Sequence, residues 1–189
     1  MLNTANSIIA LLKSSNIKTK EIAISKLDLI VDQHWAEISD HIKLLENIYE
    51  ESNNQIKEQI ALILSKLYFH LEDYENSIEW ALESKSKFNY KNKSSYSLTL
   101  LRKILEKYVS IKKHNFFNSS NILVIDSKIE SLVDQIFNDC LNNKEYKHAI
   151  GFCIESYDIE RVIINIIYSI YINYFKLYFS TLSYKYKDL

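Results

Sequence analysis

The sequence predicts an all-α protein in which antiparallel helical hairpins stack as an α-solenoid, a right-handed stack of tetratricopeptide type with no sheet. Three observations carry this expectation. The 189 residues include one glycine and no proline. Turns that need positive φ draw on glycine, and many loops use proline to preset the chain, so a sandwich, barrel or doubly wound sheet has too little of either. Apolar residues recur at helical spacing along most of the chain. Two segments also repeat each other without a gap at an offset of 72 residues, as from Tyr74 to Tyr146, which is close to two solenoid hairpins.

A first helix is expected over about Thr4–Lys13 and a second from about Thr19. Trp35–Glu51 reads as one longer helix with Ile38, Ile42, Leu45 and Tyr49 on a stripe. Ile56, Ile60, Ile63, Leu64, Leu67, Tyr68 and Leu71 make a cleaner stripe. Asp73 is the expected N-cap of the next helix, with Glu75 in the first turn where the dipole favours acid. That helix turns Tyr74, Ile78, Ala81 and Leu82 inward. Ser95–Lys113 is built around Leu98, Leu101, Ile104, Leu105 and Tyr108, and His114–Val124 is the expected long loop. Asp126–Asn142 then repeats the apolar pattern with Ile129, Leu132, Val133, Ile136, Phe137 and Leu141. Glu145–Ser156 is its partner helix, and Asp158 opens a last one.

The repeat aligns His70–Ser84 with Asn142–Ser156. Tyr74 falls on Tyr146, Ile78 on Ile150, Glu83 on Glu155 and Ser84 on Ser156, while upstream Ile60 falls on Leu132 and Leu64 on Ile136. One hairpin cannot bury its apolar face alone, so neighbours stack into a continuous core. Ala81, Ala149 and Gly151 are expected to let paired helices approach closely.

Several function classes fall away. A net charge of −1 gives no field to suggest nucleic acid or an anionic membrane. Gly151 alone cannot build a glycine-rich phosphate loop. Cys140 and Cys153 make neither a disulfide framework nor a zinc knuckle, and read as small hydrophobes on helices. MLNTANSIIALLKSS has no basic segment ahead of its apolar run and is no signal peptide, so the cytosol and nucleus are expected. Val162–Leu182 is long enough to span a bilayer, but Lys176, Asn165 and Asn173 interrupt it, and it reads as a helix covering the end of the stack.

His34, Glu37 and His41 lie close to one helix face at a spacing that could hold a metal, yet no Cys supports them, and packing is the better reading. His70, His114 and His148 have no paired nucleophile. Trp35 and Trp80 fall on apolar stripes and read as packing residues. Glu46, Glu50, Glu51, Glu72, Asp73 and Glu75 read as a solvated acidic face. No catalytic, cofactor-binding or metal-binding residues follow, and no small-molecule substrate.

Three segments go beyond generic helix: LDLIVDQHWAEISDHIKLLENIYEE (Leu27–Glu51), QIALILSKLYFHLEDYENSIEWALES (Gln59–Ser84) and IDSKIESLVDQIFNDCLNNKEYKHAIGFCIES (Ile125–Ser156). In order and spacing they are similar to the start of the 26S proteasome non-ATPase regulatory subunit 1 family, the largest scaffold subunit of the regulatory-particle base. The most specific piece is IVDQHWAEIS, Ile30–Ser39, where the family usually has Phe in the place of His34. The resemblance runs from about Leu2 to Ile167. It implies a helical-repeat scaffold domain over 1–167 and a divergent apolar tail over 168–189, which a truncated gene model, a translated intron or a short paralogue would explain.

By that resemblance the chain is a non-catalytic scaffold in ubiquitin-dependent degradation, and its partners are the ATPase-ring and lid subunits of the regulatory particle. The family's toroid of repeats and its receptor-recruiting tail lie outside the matching region. A free-standing helical-repeat adaptor binding a peptide in a concave groove is the alternative. The Tyr-x-x-x-Ile hairpins fit it, IVDQHWAEIS does not, and lysines and asparagines gathered on such a groove would favour it.

Overall fold

The computed structural model describes residues 5–14, 16–158, 160–164 and 167, and no strand occurs among them. Its helices are α1 (Ala5–Leu12), α2 (Ile17–Ser39), α3 (Ile42–Glu51), α4 (Asn54–His70), α5 (Tyr74–Glu83), α6 (Ser95–Phe117), α7 (Ser127–Asn142) and α8 (Tyr146–Glu155), with a 3₁₀ turn at Lys85–Lys87. Residues 160–164 are also helical. The chain forms two compact units, Met1–Ile104 and Leu105–Leu189, and the division falls within α6.

In the first unit, α4 is the central strut, packed against α2, α3 and α5. Its buried stripe is Ile56, Ile60, Ile63, Leu64 and Leu67, as the sequence predicts; Leu71 instead caps the helix and is exposed. These residues share one core with Ala5, Ile8, Ile9 and Leu12 of α1, with Ala23, Ile24, Leu27, Val31 and Ile38 of α2, and with Leu45 and Ile48 of α3. Each fully buried Leu or Ile contributes about 1.5–3 kcal/mol, so this cluster dominates the unit's stability.

The continuous helix expected over Trp35–Glu51 is broken. Its first five residues end α2, Asp40 and His41 turn, and α3 begins at Ile42. His41 sits at φ −115°, ψ 17°, and its N–H donates to the Ile38 carbonyl at 2.9 Å. The turn re-phases the apolar stripe: Ile38 and Leu45 remain buried, Ile48 joins them, and Ile42 and Tyr49 pack at the margin. His34 leaves helical geometry as well, at φ −117°, ψ 22°.

In the second unit, Ile129, Leu132, Val133 and Phe137 of α7 are buried. Phe137 clusters with Ala149 and Cys153 of α8, and Tyr108 of α6 stacks on Phe152 at 5.8 Å. Arg161 bonds Asp134 and pairs with Asp158 at 3.3 Å. Helix α6 outlasts its expected end by a turn, so the loop begins only at residue 118. The reason is local: the Asn115 side chain accepts from the Leu123 N–H and donates to the Leu123 carbonyl, both at 2.8 Å, and so folds the loop back on the last turn. Along α6 the buried positions are Ser97, Leu100, Ile104 and Tyr108, whereas Leu98 is exposed.

The 72-residue repeat reappears in the backbone. Helix α4 ends with Glu72 at φ 61°, the Glu72 N–H donating to the Phe69 carbonyl and the Asp73 N–H to the Tyr68 carbonyl, each at 3.0 Å. Helix α7 ends with Lys144 at φ 63°, the Lys144 N–H donating to Leu141 at 3.0 Å and the Glu145 N–H to Cys140 at 2.8 Å. Both are Schellman turns, and every participant is shifted by 72. The next pair of helix ends matches too, with Lys85 at φ 47° and Tyr157 at φ 56°. The buried Ser84 and Ser156 hydroxyls donate one turn back, to Ala81 and Cys153 respectively. All four left-handed residues carry side chains, while Gly151 lies inside α8, exposed, with nothing near its missing Cβ. The close helix approach expected at Gly151 therefore does not occur; Ala81 and Ala149 are the buried small residues.

These positions predict opposite glycine effects. A left-handed residue costs roughly 1–2 kcal/mol and glycine adds about 0.5–1 kcal/mol of unfolded-state entropy. Glu72→Gly and Lys144→Gly should therefore each stabilise by about 0.5–1 kcal/mol, and Gly151→Ala by a similar amount. Thermal melts should show midpoints raised by about 1–4 °C; a midpoint lowered by Glu72→Gly would mean that the Glu72 side chain makes a contact the turn needs.

Candidate functional site

The segment Ile30–Ser39 occupies the last turns of α2 and faces α4. Val31 and Ile38 are fully buried. Between them Asp32 and Trp35, one turn apart, both reach His70. Its Nε2 lies 3.1 Å from Asp32 Oδ1, and the Trp35 ring stacks on the imidazole at 5.7 Å, the planes 9° apart. One turn earlier on each helix, Lys66 Nζ donates to Asp28 Oδ1 at 2.7 Å. Asp28 with Lys66 and Asp32 with His70 form two rungs whose numbering rises together, so α2 and α4 run parallel. Partly exposed pairs are worth about 0.2–1 kcal/mol each; beside the apolar core, their effect is to fix the register of the two helices.

A second polar constellation lies inside the α4/α5 hairpin. The Ser65 hydroxyl donates to the Ser77 carbonyl at 2.6 Å, and the Ser77 hydroxyl to the Ser65 carbonyl at 2.8 Å, with both residues fully buried. Because the single Ser65 proton is committed, the Tyr96 hydroxyl, 2.7 Å away, must be the donor to Ser65 Oγ. Burial pushes the Tyr96 phenol up, the Ser65 bond pulls it down by less than burial raises it, and Asp32 and Asp28 each raise it by a smaller amount. Tyr96 therefore remains a protonated donor. On α3, Glu46 accepts from Tyr68 at 3.1 Å; burial, and then this neighbour, push that phenol to about 12. Tyr49 meets Trp80 edge-on at 4.9 Å.

Between these constellations opens a groove of about 350 Å³. It is lined by Asp32 of α2, by Lys66 and His70 with the apolar Leu62 and Phe69 of α4, and by Lys87, Asn89, Asn92 and Ser94–Ser97 from the link to α6 and its first turn.

The residues singled out in the sequence fall as follows. His34 Nδ1 approaches Glu37 Oε1 at 3.4 Å, on the surface, while His41 lies beyond the end of α2 in the turn to α3. Among the described residues no three His, Cys, Asp or Glu gather to hold a metal ion. His114 faces the Asn121 carbonyl and His148 lies 3.9 Å from Glu145, and neither is among the residues that line the groove. Trp35 and Trp80 are partly buried against the core. Glu50, Glu51, Glu72 and Glu75 are exposed, whereas Glu46 bonds Tyr68 and Asp73 caps α5. Cys153 is buried and Cys140 half-buried, its thiol pushed up by burial and then by Glu145 and Asp139. No helix of the described residues is long and apolar enough to cross a membrane. Ile164 and Ile167 are exposed, while most of Val162–Leu182, including Tyr171 and Phe175, and all of the tail 168–189 fall outside the described residues.

The sequence reading missed the two rungs and the serine pair. The rungs had a signal, since the acidic pair Asp28/Asp32 and the basic-type pair Lys66/His70 stand at matched i, i+4 spacing. The serines had none.

Comparison with known proteins bears on the same surfaces. The model of the 26S proteasome subunit RPN2 N-terminal domain matches residues 3–184. This chain belongs to the RPN2 N-terminal domain family. The family match extends further than the resemblance read from the residues alone, which ended near Ile167. Known RPN2-family proteins of similar sequence include the 26S proteasome regulatory subunit RPN2 of Eremothecium gossypii, 32% identical over 87% of the chain and 17% of the relative. The protein of the same name from Saccharomyces cerevisiae is 32% identical over 84% of the chain and 17% of the relative. The 26S proteasome non-ATPase regulatory subunit 1 of Dictyostelium discoideum is 33% identical over 82% of the chain and 16% of the relative. The chain thus spans about one sixth of the length of these relatives.

The RPN2-family segment Ile30–Ser39 yields a stability prediction. Trp35 is only partly buried, so Trp35→Ala should cost about 1–3 kcal/mol, below the 3–5 of a fully buried Trp. A double-mutant cycle with His70→Ala should return about 0.5–1.5 kcal/mol of coupling for the stacked rings. Ser65→Ala should cost about 1–3 kcal/mol, because it strips partners from the Ser77 carbonyl and the Tyr96 hydroxyl. Zero coupling between Trp35 and His70 in urea melts would remove the stack from the account of this interface.

Proposed function

We propose that the chain is a non-catalytic structural scaffold of the 26S proteasome regulatory particle, acting in its base to support ubiquitin-dependent protein degradation. The observation that carries this reading is the RPN2 N-terminal domain match over residues 3–184. The packing is consistent with it. Asp32 and Trp35, within the segment Ile30–Ser39 that is most specific to the resemblance, join α2 to α4 through His70. That is the task of a frame that must hold its shape. The relatives are regulatory subunits of the proteasome and are not named as enzymes. The partners proposed are other regulatory-particle subunits, those of the ATPase ring and the lid, and the compartments are the cytosol and nucleus where such particles act.

Affinity purification tests it. The tagged full chain, expressed in its own cells, should recover ATPase and lid subunits in comparable amounts. Recovery of one client protein without any proteasome subunit would support the free-standing adaptor and overturn the scaffold.

A further inference from the structure

The stretch 84–105 carries Lys85, Lys87, Lys91, Lys93, Arg102 and Lys103 and no acidic residue, in a chain whose net charge is −1. Its first half links α5 to α6 and contributes to the lining of the 350 Å³ groove. The charges at and around the groove are unequal: Asp32, Lys66, His70 and Lys87 line it, and Asp28, Lys85, Lys91 and Lys93 are their neighbours outside the lining. On the α2 and α4 side, Asp28 is met by Lys66 at 2.7 Å and Asp32 by His70 at 3.1 Å. In the link to α6, Lys85 pairs with Glu58 at 3.6 Å and Lys91 lies 5.6 Å from the centre of the Tyr90 ring. Lys87, which lines the groove, and Lys93, which lies in the sequence between the lining residues Asn92 and Ser94, are exposed and have no carboxylate partner among the described residues. Asn92, exposed, and Leu62 and Phe69, half-buried, also line the groove.

We propose that this groove is a docking site for an extended acidic segment of a partner protein. Its carboxylates meet Lys87 and Lys93, and one of its apolar side chains seats on Leu62 and Phe69. Charge complementarity argues for the acidic partner, because the uncompensated lysines raise a positive potential beside a low-dielectric apolar lining. The short reach of that potential argues for a peptide over a nucleic acid. Asp32 lines the groove, and Asp28, Glu46, Glu50, Glu51, Glu72 and Glu75 lie elsewhere in the same unit, so a long phosphate backbone would meet repulsion on leaving the lysines. The volume is at the low end of the range of about 300–1,000 Å³ typical of binding pockets, enough for a few side chains and not for a duplex. The docking site deepens the scaffold function, since it supplies the chemistry of one partner contact, and it rests on that reading only for the partner being a protein.

Fluorescence anisotropy on the purified full chain tests it, with a labelled synthetic decapeptide rich in Glu and Asp and bearing two Leu as probe. Binding should weaken about tenfold or more when salt is raised from about 0.05 to 0.3 M, because exposed charges are screened beyond a Debye length. The double variant Lys87→Glu/Lys93→Glu should lose about tenfold or more in affinity. Asn92→Trp, which obstructs the groove without changing charge, should lose a similar factor, while Lys147→Glu on α8 should bind as the parent does. All these positions are exposed, and circular dichroism confirms that the variants fold alike. No measurable binding, equal loss with Lys147→Glu, no loss with Asn92→Trp, or a single-stranded oligonucleotide of matched charge bound as tightly as the peptide would each overturn the proposal. The assay reads the isolated chain, so its failure leaves the co-purification result standing, and the reverse also holds.

Discussion

After α4, α5, α7 and α8 the chain turns through a residue in the left-handed region, and it has almost no glycine to place there. Its answer is the Schellman turn closed by residues with full side chains. Glu72 and Lys144 accept the strain because two N–H donors per turn find the last carbonyls of the helix. The hairpins hang from those turns. The reversal after α4 brings α5 back at the angle where Ser65 and Ser77 can exchange hydroxyl bonds across two closely approaching backbones. Once α5 is placed, Tyr96 of α6 has a fixed acceptor.

The two hairpins keep the turn and change what lies between the helices. Ser65 and Ser77 of α4 and α5 correspond, 72 residues on, to Phe137 and Ala149 of α7 and α8, both buried. One hairpin holds its helices together by reciprocal hydrogen bonds between small residues. The other uses a large side chain against a small one. The backbone bonds that end the helices are common to both, so the repeat is conserved in turn geometry more than in core chemistry.

The fold class was legible because it depends on what the sequence lacks and on periodicity, both of which are local properties. The stripe of α4, the Asp73 cap and the 72-residue offset all survive in the structure for that reason. The break at Asp40–His41 was not legible. Ile38, Ile42, Leu45 and Tyr49 keep helical spacing across it, and no glycine or proline marks it. The extension of α6 depended on Asn115 bonding Leu123, a contact across a loop that periodicity cannot register. Gly151 misled for the opposite reason: a small residue permits close approach, but only tertiary structure decides whether a neighbour arrives. The groove was least legible of all, since its walls come from α2, α4 and the link to α6, far apart in the chain.

The order of residues in the first core has a consequence for synthesis. The cluster from Ala5 to Leu67 draws every buried member from α1 to α4, and α5 closes on α4 through residues only twelve apart. A nascent chain emerging from the ribosome therefore meets its partners in the order in which they are made. Each new hairpin arrives at an apolar face already assembled, and contacts this local close quickly because little loop entropy is lost in forming them. Tyr96 then sets the last bond on a hairpin that is already standing.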